Sequence, residues 1–341
     1  MTEPAEKNAM PSPQLFFETI NAYQRTAALK AALELEIFSA IGGGADTAPE
    51  LAKRCGVSDR GVRILCDYLT VIGFLTKEGS RYALTPDSAA FLDRRSPHYM
   101  GGAVRFLGSA GLTDCFSDVA ACVRKGGTVQ SDSGSIAPEN PIWVDFARSM
   151  EGTMMLPAEV IAQVLNAEHA GACKVLDIAA GHGRFGITLA KHNPHAEVVA
   201  ADWHNVLEVA KENARAAGVA ERYRTLPGSA FDVEFDTGYN IVLITNFLHH
   251  FDVPTIEGFL RKVHASLAPG GRAVVLEFIP DENRVSPPVA AQFAMMMLCS
   301  TPLGDAYTFA EYQHMFKNAG FASLEMHPVP PTYFRLVIAQ A

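Results

Sequence analysis

Two adjacent histidines, His249 and His250, follow the apolar run Ile241-Val-Leu-Ile-Thr245 and the tripeptide Asn246-Phe-Leu248. The run reads as a buried strand, which puts the pair at a strand's carboxyl end, where open α/β sheets place their ligands. Histidine, with an unperturbed pKa of about 6.5, suits a general base that takes a proton from a hydroxyl while the oxygen is lined up on an electrophile. One ring of the two is expected to face a substrate. The other use of the same residues is structural, as rings that cap the strand or bond to backbone.

A second constellation lies earlier, in Val175-Leu-Asp-Ile-Ala-Ala-Gly-His-Gly-Arg-Phe-Gly186. A buried strand runs through a glycine turn into a helix, and Gly181 and Gly183 let a ligand approach the backbone closely. With Gly186 they also fit G-x-G-x-x-G, the pattern that sets a dinucleotide's pyrophosphate on a helix N-terminus. Asp177, just ahead of the turn, would crowd a diphosphate but suits the ammonium of S-adenosylmethionine (SAM). A following strand, Ala196-Glu-Val-Val-Ala-Ala201, ends in Asp202, placed to accept from two ribose hydroxyls, and Trp203 offers a face for adenine. Asp202 serves either cofactor. Taken singly, Asp177 could cap a turn and Trp203 could fill a core; their order along one β-α-β unit favours a SAM cradle.

These motifs need a scaffold, and the chain supplies an alternating one. After residue 174 the pattern predicts strands at 198–201, 239–245 (the third core strand) and 272–278, with helices at 206–217 and 254–267, a doubly wound parallel sheet. A helix at 309–319 and strands at 323–327 and 334–339 end the chain. The turn Pro328-Val-Pro-Pro331 is too short for a crossover, so that last pair must be antiparallel, an ending usual for SAM methyltransferases and unusual for NAD dehydrogenases.

Ahead of the sheet, 143–165 reads as helical, with Pro157 marking a break or a helix start. Residues 126–140 are Gly/Ser-rich and polar, a hinge or mouth loop. Between Pro13 and Ile41 apolar residues recur at helical spacing and become apolar nearly all round, so these helices need partners. Residues 47–69 read as helix, glycine turn, helix, followed by strands at 74–75 and 81–84, a winged-helix pattern. In its second helix Arg60 and Arg63 are balanced by Asp59 and Asp67, too little positive charge for a groove reader. Scaffold or dimerisation is the expected use.

A length of 341 residues with 48% hydrophobic composition supports two cores. The net charge of -9 and the lack of any basic run argue against a nucleic-acid partner. No stretch approaches membrane-spanning length, and the N-terminus is polar and acidic, so a cytoplasmic protein without a membrane partner is expected. The six cysteines form no C-x-x-C pair, pointing to neither zinc nor a disulfide framework.

From about residue 15 to its end the chain resembles the dimeric, winged-helix SAM-dependent O-methyltransferases, the group that includes plant caffeic acid and animal acetylserotonin enzymes. Leu248-His249-His250-Phe251 stands where that family carries Leu-His-Asp-Trp, whose histidine is the general base; the resemblance makes His249 the base. The family's aspartate is His250 here, and a second orienting acid of the plant relatives falls near Ala306, so both are replaced. Glu277, ending Val274-Val-Leu-Glu277, matches a family acid beside the base and would hold His249 in its tautomer. Its alternative is an acid bonded to backbone amides at a strand end. The resemblance adds Met150, Asn246 and the adenine segment Ser229, Ala230 and Phe231 to the cofactor contacts. Ser229 replaces the family's aspartate, so the adenine contact is expected to be neutral or made by backbone. It also makes the helix at 290–298 a wall of the acceptor pocket, with Phe293, Met297 and Thr301 on one face and Phe146 across from it. A core stripe is the alternative use of those side chains.

The expected protein is therefore α/β: a Rossmann-like SAM methyltransferase sheet with an antiparallel final strand (167–341), a helical linker with the mouth loop (106–166), and an N-terminal, mainly helical winged-helix dimerisation domain (1–105). A homodimer is expected to move a methyl group from SAM to a hydroxyl of a small, aromatic acceptor, leaving S-adenosylhomocysteine (SAH). No metal is expected, since the site lacks a carboxylate cluster. The alternatives are methylation at carbon or nitrogen on the same fold, and a SAM-sensing, DNA-binding regulator built on the winged helix.

Overall fold

The computed structural model describes residues 10–169 and 171–341. The chain divides into two compact units, one ending at Val104 and one beginning at Arg105.

In the first unit the apolar run after Pro13 forms three short helices, α1 (Gln14–Ile20), α2 (Tyr23–Glu34) and α3 (Ile37–Gly42). The break before α3 falls at Glu36, whose backbone is left-handed at φ 57°. Then come α4 (Ala48–Cys55), opened by a Thr47–Glu50 capping box, and α5 (Asp59–Val71), capped by Ser58 Oγ. The antiparallel hairpin β1 (Leu75–Glu78) and β2 (Arg81–Leu84) and a helix α6 (Pro86–Phe91) follow. Leu33, Ile37, Phe38, Leu51, Val62, Leu69 and Tyr82 close one core, the helix-turn-helix and wing that the sequence predicts. Leu15, Phe16, Phe17, Ile20 and Tyr23 stay outside it, each between 56% and 76% exposed. Fully burying an apolar side chain of that size is worth roughly 1.5–3 kcal/mol, so a face of this kind asks for a partner surface.

The second unit begins inside α7 (Val104–Leu107), which α8 (Ala110–Thr113) and α9 (Val119–Lys125) follow. The polar loop that follows is tied down rather than free to hinge. The Thr128 N–H donates to the Thr301 carbonyl at 2.9 Å, and Gly127 and Gly134 approach the Pro302 and Ser300 carbonyls so closely that a Cβ would strike them. Next, α10 (Ile142–Val164) runs unbroken through Pro157, against the expected break. The proline forfeits one backbone hydrogen bond, but Met150, Met154, Ala158 and Ile161 bury the helix face that packs on the next two helices, and tertiary packing outweighs the lost bond.

The sheet is built from β3 (Cys173–Ile178), β4 (Ala196–Asp202), β5 (Tyr223–Pro227), β6 (Tyr239–Thr245), β7 (Leu267–Glu277), β8 (Ser323–Pro328) and β9 (Arg335–Gln340), in the order β5-β4-β3-β6-β7-β9-β8. All pairings are parallel except those of β9, which runs antiparallel to both neighbours. Helices α11 (Arg184–His192), α12 (His204–Ala216), α13 (Val253–Ser266), α14 (Pro288–Ser300) and α15 (Phe309–Asn318) complete the unit. Sequence patterning missed β5: Tyr-Arg-Thr-Leu-Pro is a short edge strand with only Tyr223 buried, so it shows no apolar run. Tyr239–Thr245 is thus the fourth strand of the sheet along the chain, not the third. The chain leaves β3 toward β4 on one side and β6 toward β7 on the other, so β3 and β6 flank the topological switch point, the crevice where such sheets bind ligands.

One contact anchors α11 to its surroundings in a pH-dependent way. His192, its last residue, meets Glu159 at 2.6 Å and Glu168 at 3.0 Å. The Glu159 bond, reinforced by Glu168, raises the imidazole pKa. A raised folded-state pKa stabilises fully below the unfolded value of about 6.5 and fades as pH climbs through the folded one. The Tm gap between wild type and His192→Gln should therefore be widest below about pH 6 and close at alkaline pH. A gap that is flat across pH would mean the His192 contacts are not ionic.

Candidate active site

At the carboxyl edge of β3 the backbone turns sharply, with Ala179 at φ 52°, Gly181 at φ 56° and Gly183 at φ 72°, all left-handed. Gly186 lets α11 sit directly on the sheet, since a Cβ there would come within 2.7 Å of Val198 and 2.8 Å of the Asp177 carboxylate. Asp177 is completely enclosed; its Oδ2 accepts the Gly186 N–H at 3.0 Å, and its Oδ1 has no partner. Burial pushes its pKa up to about 7. Asp202 closes the turn from the next strand, accepting the Gly181 N–H at 2.8 Å and the Trp203 N–H at 2.7 Å, and burial pushes its pKa up to about 6. Trp203 opens α12 and packs with Val206, Val209 and Ala147.

The adenine segment predicted at Ser229–Phe231 forms a tight turn, the Phe231 N–H donating to Ser229 Oγ at 3.2 Å. The ammonium of Lys262, on α13, donates to the carbonyls of Ala230, Phe231 and Val233 at 3.0, 2.8 and 2.6 Å. No sequence signal marks that lysine.

After β6, Asn246 takes a left-handed turn at φ 51° and donates its Nδ2 to Met154 Sδ at 3.8 Å; Met150 lies one helical turn before Met154 on α10. Residues 248–250 form a single 3₁₀ turn that is held from two sides. From β7, Glu277 uses Oε1 to accept the Phe247 and Leu248 N–H groups at 2.9 and 3.0 Å, and Oε2 to meet His249 Nδ1 at 2.5 Å. From the other side the Asp305 N–H donates to the His249 carbonyl at 3.0 Å, and Tyr307 Oη to the Phe251 carbonyl at 2.6 Å. Glu277 is thus both things the sequence offered, an acid bonded to strand-end amides and the partner of His249.

His250 is buried beside His249, the two rings 4.3 Å apart; burial, with His249 adding to it, holds its pKa well below the ordinary value. Phe293 presents its ring edge-on to His249 at 4.8 Å and stacks on Phe278 at 4.2 Å, and Met297 lies buried one turn on. Thr301 departs from the pocket-wall expectation. It is fully buried at the end of α14, and its hydroxyl donates to the Met297 carbonyl and accepts the Gly304 N–H. Phe146 lies over the glycine turn, stacked on His182 at 6.3 Å. The ring that reaches His250, at 5.3 Å, is Trp143, which also touches Phe146 at 5.8 Å and donates Nε1–H to the Ser135 carbonyl. Trp143 was not among the expected site residues; its place on α10, one turn before Phe146, was the available signal.

Most buried side-chain polar atoms without a partner among the described residues gather here: Asp177 Oδ1, His182 Nε2, Arg184 Nε, Asn205 Oδ1, Tyr223 Oη, Asn246 Oδ1 and His250 Nδ1. Each orphan costs about 1–3 kcal/mol unless a ligand answers it. The set mixes donors with acceptors, which fits a ligand carrying an ammonium, a carboxylate and hydroxyls, the groups SAM presents. Among the described residues no cluster of three or more His, Cys, Asp or Glu is placed to hold a metal ion, and no helix is long and apolar enough to cross a membrane.

Comparison with known proteins meets this geometry. Residues 135–322 match the O-methyltransferase domain family, and residues 17–94 match the O-methyltransferase dimerisation domain. The chain is 28% identical over 320 residues to a 3-hydroxy-5-methyl-1-naphthoate 3-O-methyltransferase of Streptomyces sahachiroi, covering 90% of this chain and 89% of the relative. It is 27% identical over 306 residues to an L-tyrosine C(3)-methyltransferase of Streptomyces lavendulae, covering 86% and 82%. A crystal structure of a candidate O-methyltransferase from Nostoc punctiforme superposes with a TM-score of 0.92 at 52% identity, covering 98% of this chain and all of that one. By both of its domains the chain belongs to the O-methyltransferase family, SAM-dependent enzymes in which a dimerisation domain precedes the methyltransferase domain.

Proposed function

We propose that this enzyme methylates a hydroxyl oxygen on a planar aromatic small molecule, with His249 as the general base. The observation that carries the reading is the 2.5 Å contact between His249 Nδ1 and Glu277 Oε2. Glu277's other oxygen is already taken by two backbone N–H groups, so the carboxylate is anchored as an acceptor. It keeps the imidazole proton on Nδ1 and leaves Nε2 as the lone pair that receives the acceptor's proton. SAM supplies the electrophilic methyl group. The chain's own contribution is to bind, orient and deprotonate.

In this reading Asp177 and Asn246 serve the cofactor's amino-acid end, with Met150 beside them. Asp202 and Trp203 take the ribose and adenine, Ser229, Ala230 and Phe231 enclose the base, and Gly181 and Gly183 permit the close approach. Each Asp202 oxygen holds one amide and retains a lone pair for a ribose hydroxyl. His250, neutral through burial, stays beside the reacting oxygen without competing for its proton. Phe293, Met297, Phe146 and Trp143 supply apolar walls, and Thr301 closes the end of α14 rather than reading substrate. The hydroxynaphthoate relative supports an aromatic hydroxyl as the acceptor class. The exposed face of α1 and α2 fits a homodimer through the N-terminal domain (1–105), with 106–166 as the linker to the SAM domain (167–341).

A second reading, methylation at carbon, is favoured by one specific finding, the relative named for tyrosine C(3) methylation. Incubation with SAM and a panel of phenols separates the two. A mass gain of one methyl group placed on oxygen supports the first reading, and a ring-carbon methyl supports the second. Independently, SAH at about 100-fold above its Kd should raise the Tm by roughly 3–6 °C. A protein whose melting SAH does not move is not using SAM.

A further inference from the structure

The unpaired atoms at the cradle include acceptors on Asp177 and Asn246, and also two donors, His182 Nε2 and Arg184 Nε. His182's tautomer follows from its contacts. Nδ1 accepts the Arg184 backbone N–H at 3.1 Å, so that nitrogen carries no proton and Nε2 does. The ring is 2% exposed, stacked on Phe146 and 5.9 Å from Phe185, and its carbonyl accepts Asn213 Nδ2–H at 2.9 Å. Burial pushes its pKa down to about 4, which makes it an uncharged donor. Arg184, the first residue of α11, pairs its Nη2 with Glu151 and leaves Nε–H unanswered. Both donors therefore stand at the positive end of the α11 dipole, which favours an anion.

Resting on the SAM reading above, we infer that His182 Nε2–H and Arg184 Nε–H receive the α-carboxylate of the cofactor's amino-acid group. The acceptors Asp177 Oδ1 and Asn246 Oδ1 are left for its ammonium. Donors and acceptors interleaved around one glycine turn select a zwitterion. A diphosphate at the same turn would satisfy the donors while facing the Asp177 carboxylate unrelieved.

Calorimetric titration with SAH and with its decarboxylated thioether, 5′-S-(3-aminopropyl)-5′-thioadenosine, tests the assignment without turnover. Wild type is expected to prefer SAH by about tenfold or more, the worth of hydrogen bonds to a charged group. His182→Phe removes the donor and keeps the ring stacking. It should weaken SAH about tenfold and leave the decarboxylated ligand unchanged. His182→Gln, which restores an N–H donor, should recover part of the loss. Arg184→Met, at a partly buried position, should show the same selective loss and carries the test if His182→Phe does not fold. Equal weakening of both ligands would make the two residues structural, and no change in either would overturn the inference. Wild type that binds neither ligand overturns the SAM reading itself. Wild type that binds both, with variants that cannot tell them apart, overturns the carboxylate assignment alone.

Discussion

His249→Ala is expected to lower turnover by about 10²–10⁴-fold while the Kd for SAH stays within about twofold of wild type. The split follows from where the ring sits. It touches Glu277, His250 and Phe293 on the β6–β7 side of the crevice, whereas the glycine turn and Asp202 are built from β3 and β4. Losing the base removes the step that readies the oxygen and leaves the cofactor's contacts alone. Single-turnover methyl transfer alongside calorimetry with SAH measures both halves. Unchanged turnover would exclude His249 as the base, and equal losses in both would make it a structural residue.

Glu277→Gln should be nearly as costly, about 10²–10⁴-fold in turnover, for a different reason. The amide oxygen can still accept the Phe247 and Leu248 N–H groups, but its NH₂ cannot accept from His249 Nδ1. The imidazole is then driven to the tautomer that presents a proton, not a lone pair, to the acceptor. The exchange also disturbs a buried hydrogen-bond network, costing about 1–3 kcal/mol of stability, so turnover must be referred to folded enzyme. A variant that melts earlier but turns over normally per folded molecule would reduce Glu277 to an anchor for the strand-end turn. One that binds SAH normally, folds and fails to turn over supports the tautomer role.

Much of the fold was legible because its determinants are local. Apolar runs at 175–178 and 241–245 announced the buried strands, the glycine turn inside 47–69 announced a helix pair, and the short Pro-rich turn after Pro328 forced the antiparallel ending. Where reading failed, non-local packing was responsible. Tyr223–Pro227 is an edge strand whose only buried side chain is Tyr223, so it lacks the pattern that marks strands. Pro157 sits in a helix kept whole by α11 and α12. The same division holds at the site, where Trp143 and Lys262 act through partners distant in sequence, and Thr301's hydroxyl is consumed by the chain that folds back around α14.

By itself the sequence determined the α/β scaffold, the order of the glycine turn, the histidine pair and the 290–298 helix along it, and the candidate residues in each, because periodicity, glycine spacing and strand ends are properties of contiguous chain. Only the tertiary structure decided which oxygen of Glu277 meets His249 across 28 residues, and that Asp177 is enclosed with one oxygen open. It also decided that His182 carries its proton on Nε2. Tautomer, burial and unpaired valence depend on which groups converge in three dimensions, and no spacing along one chain specifies that convergence.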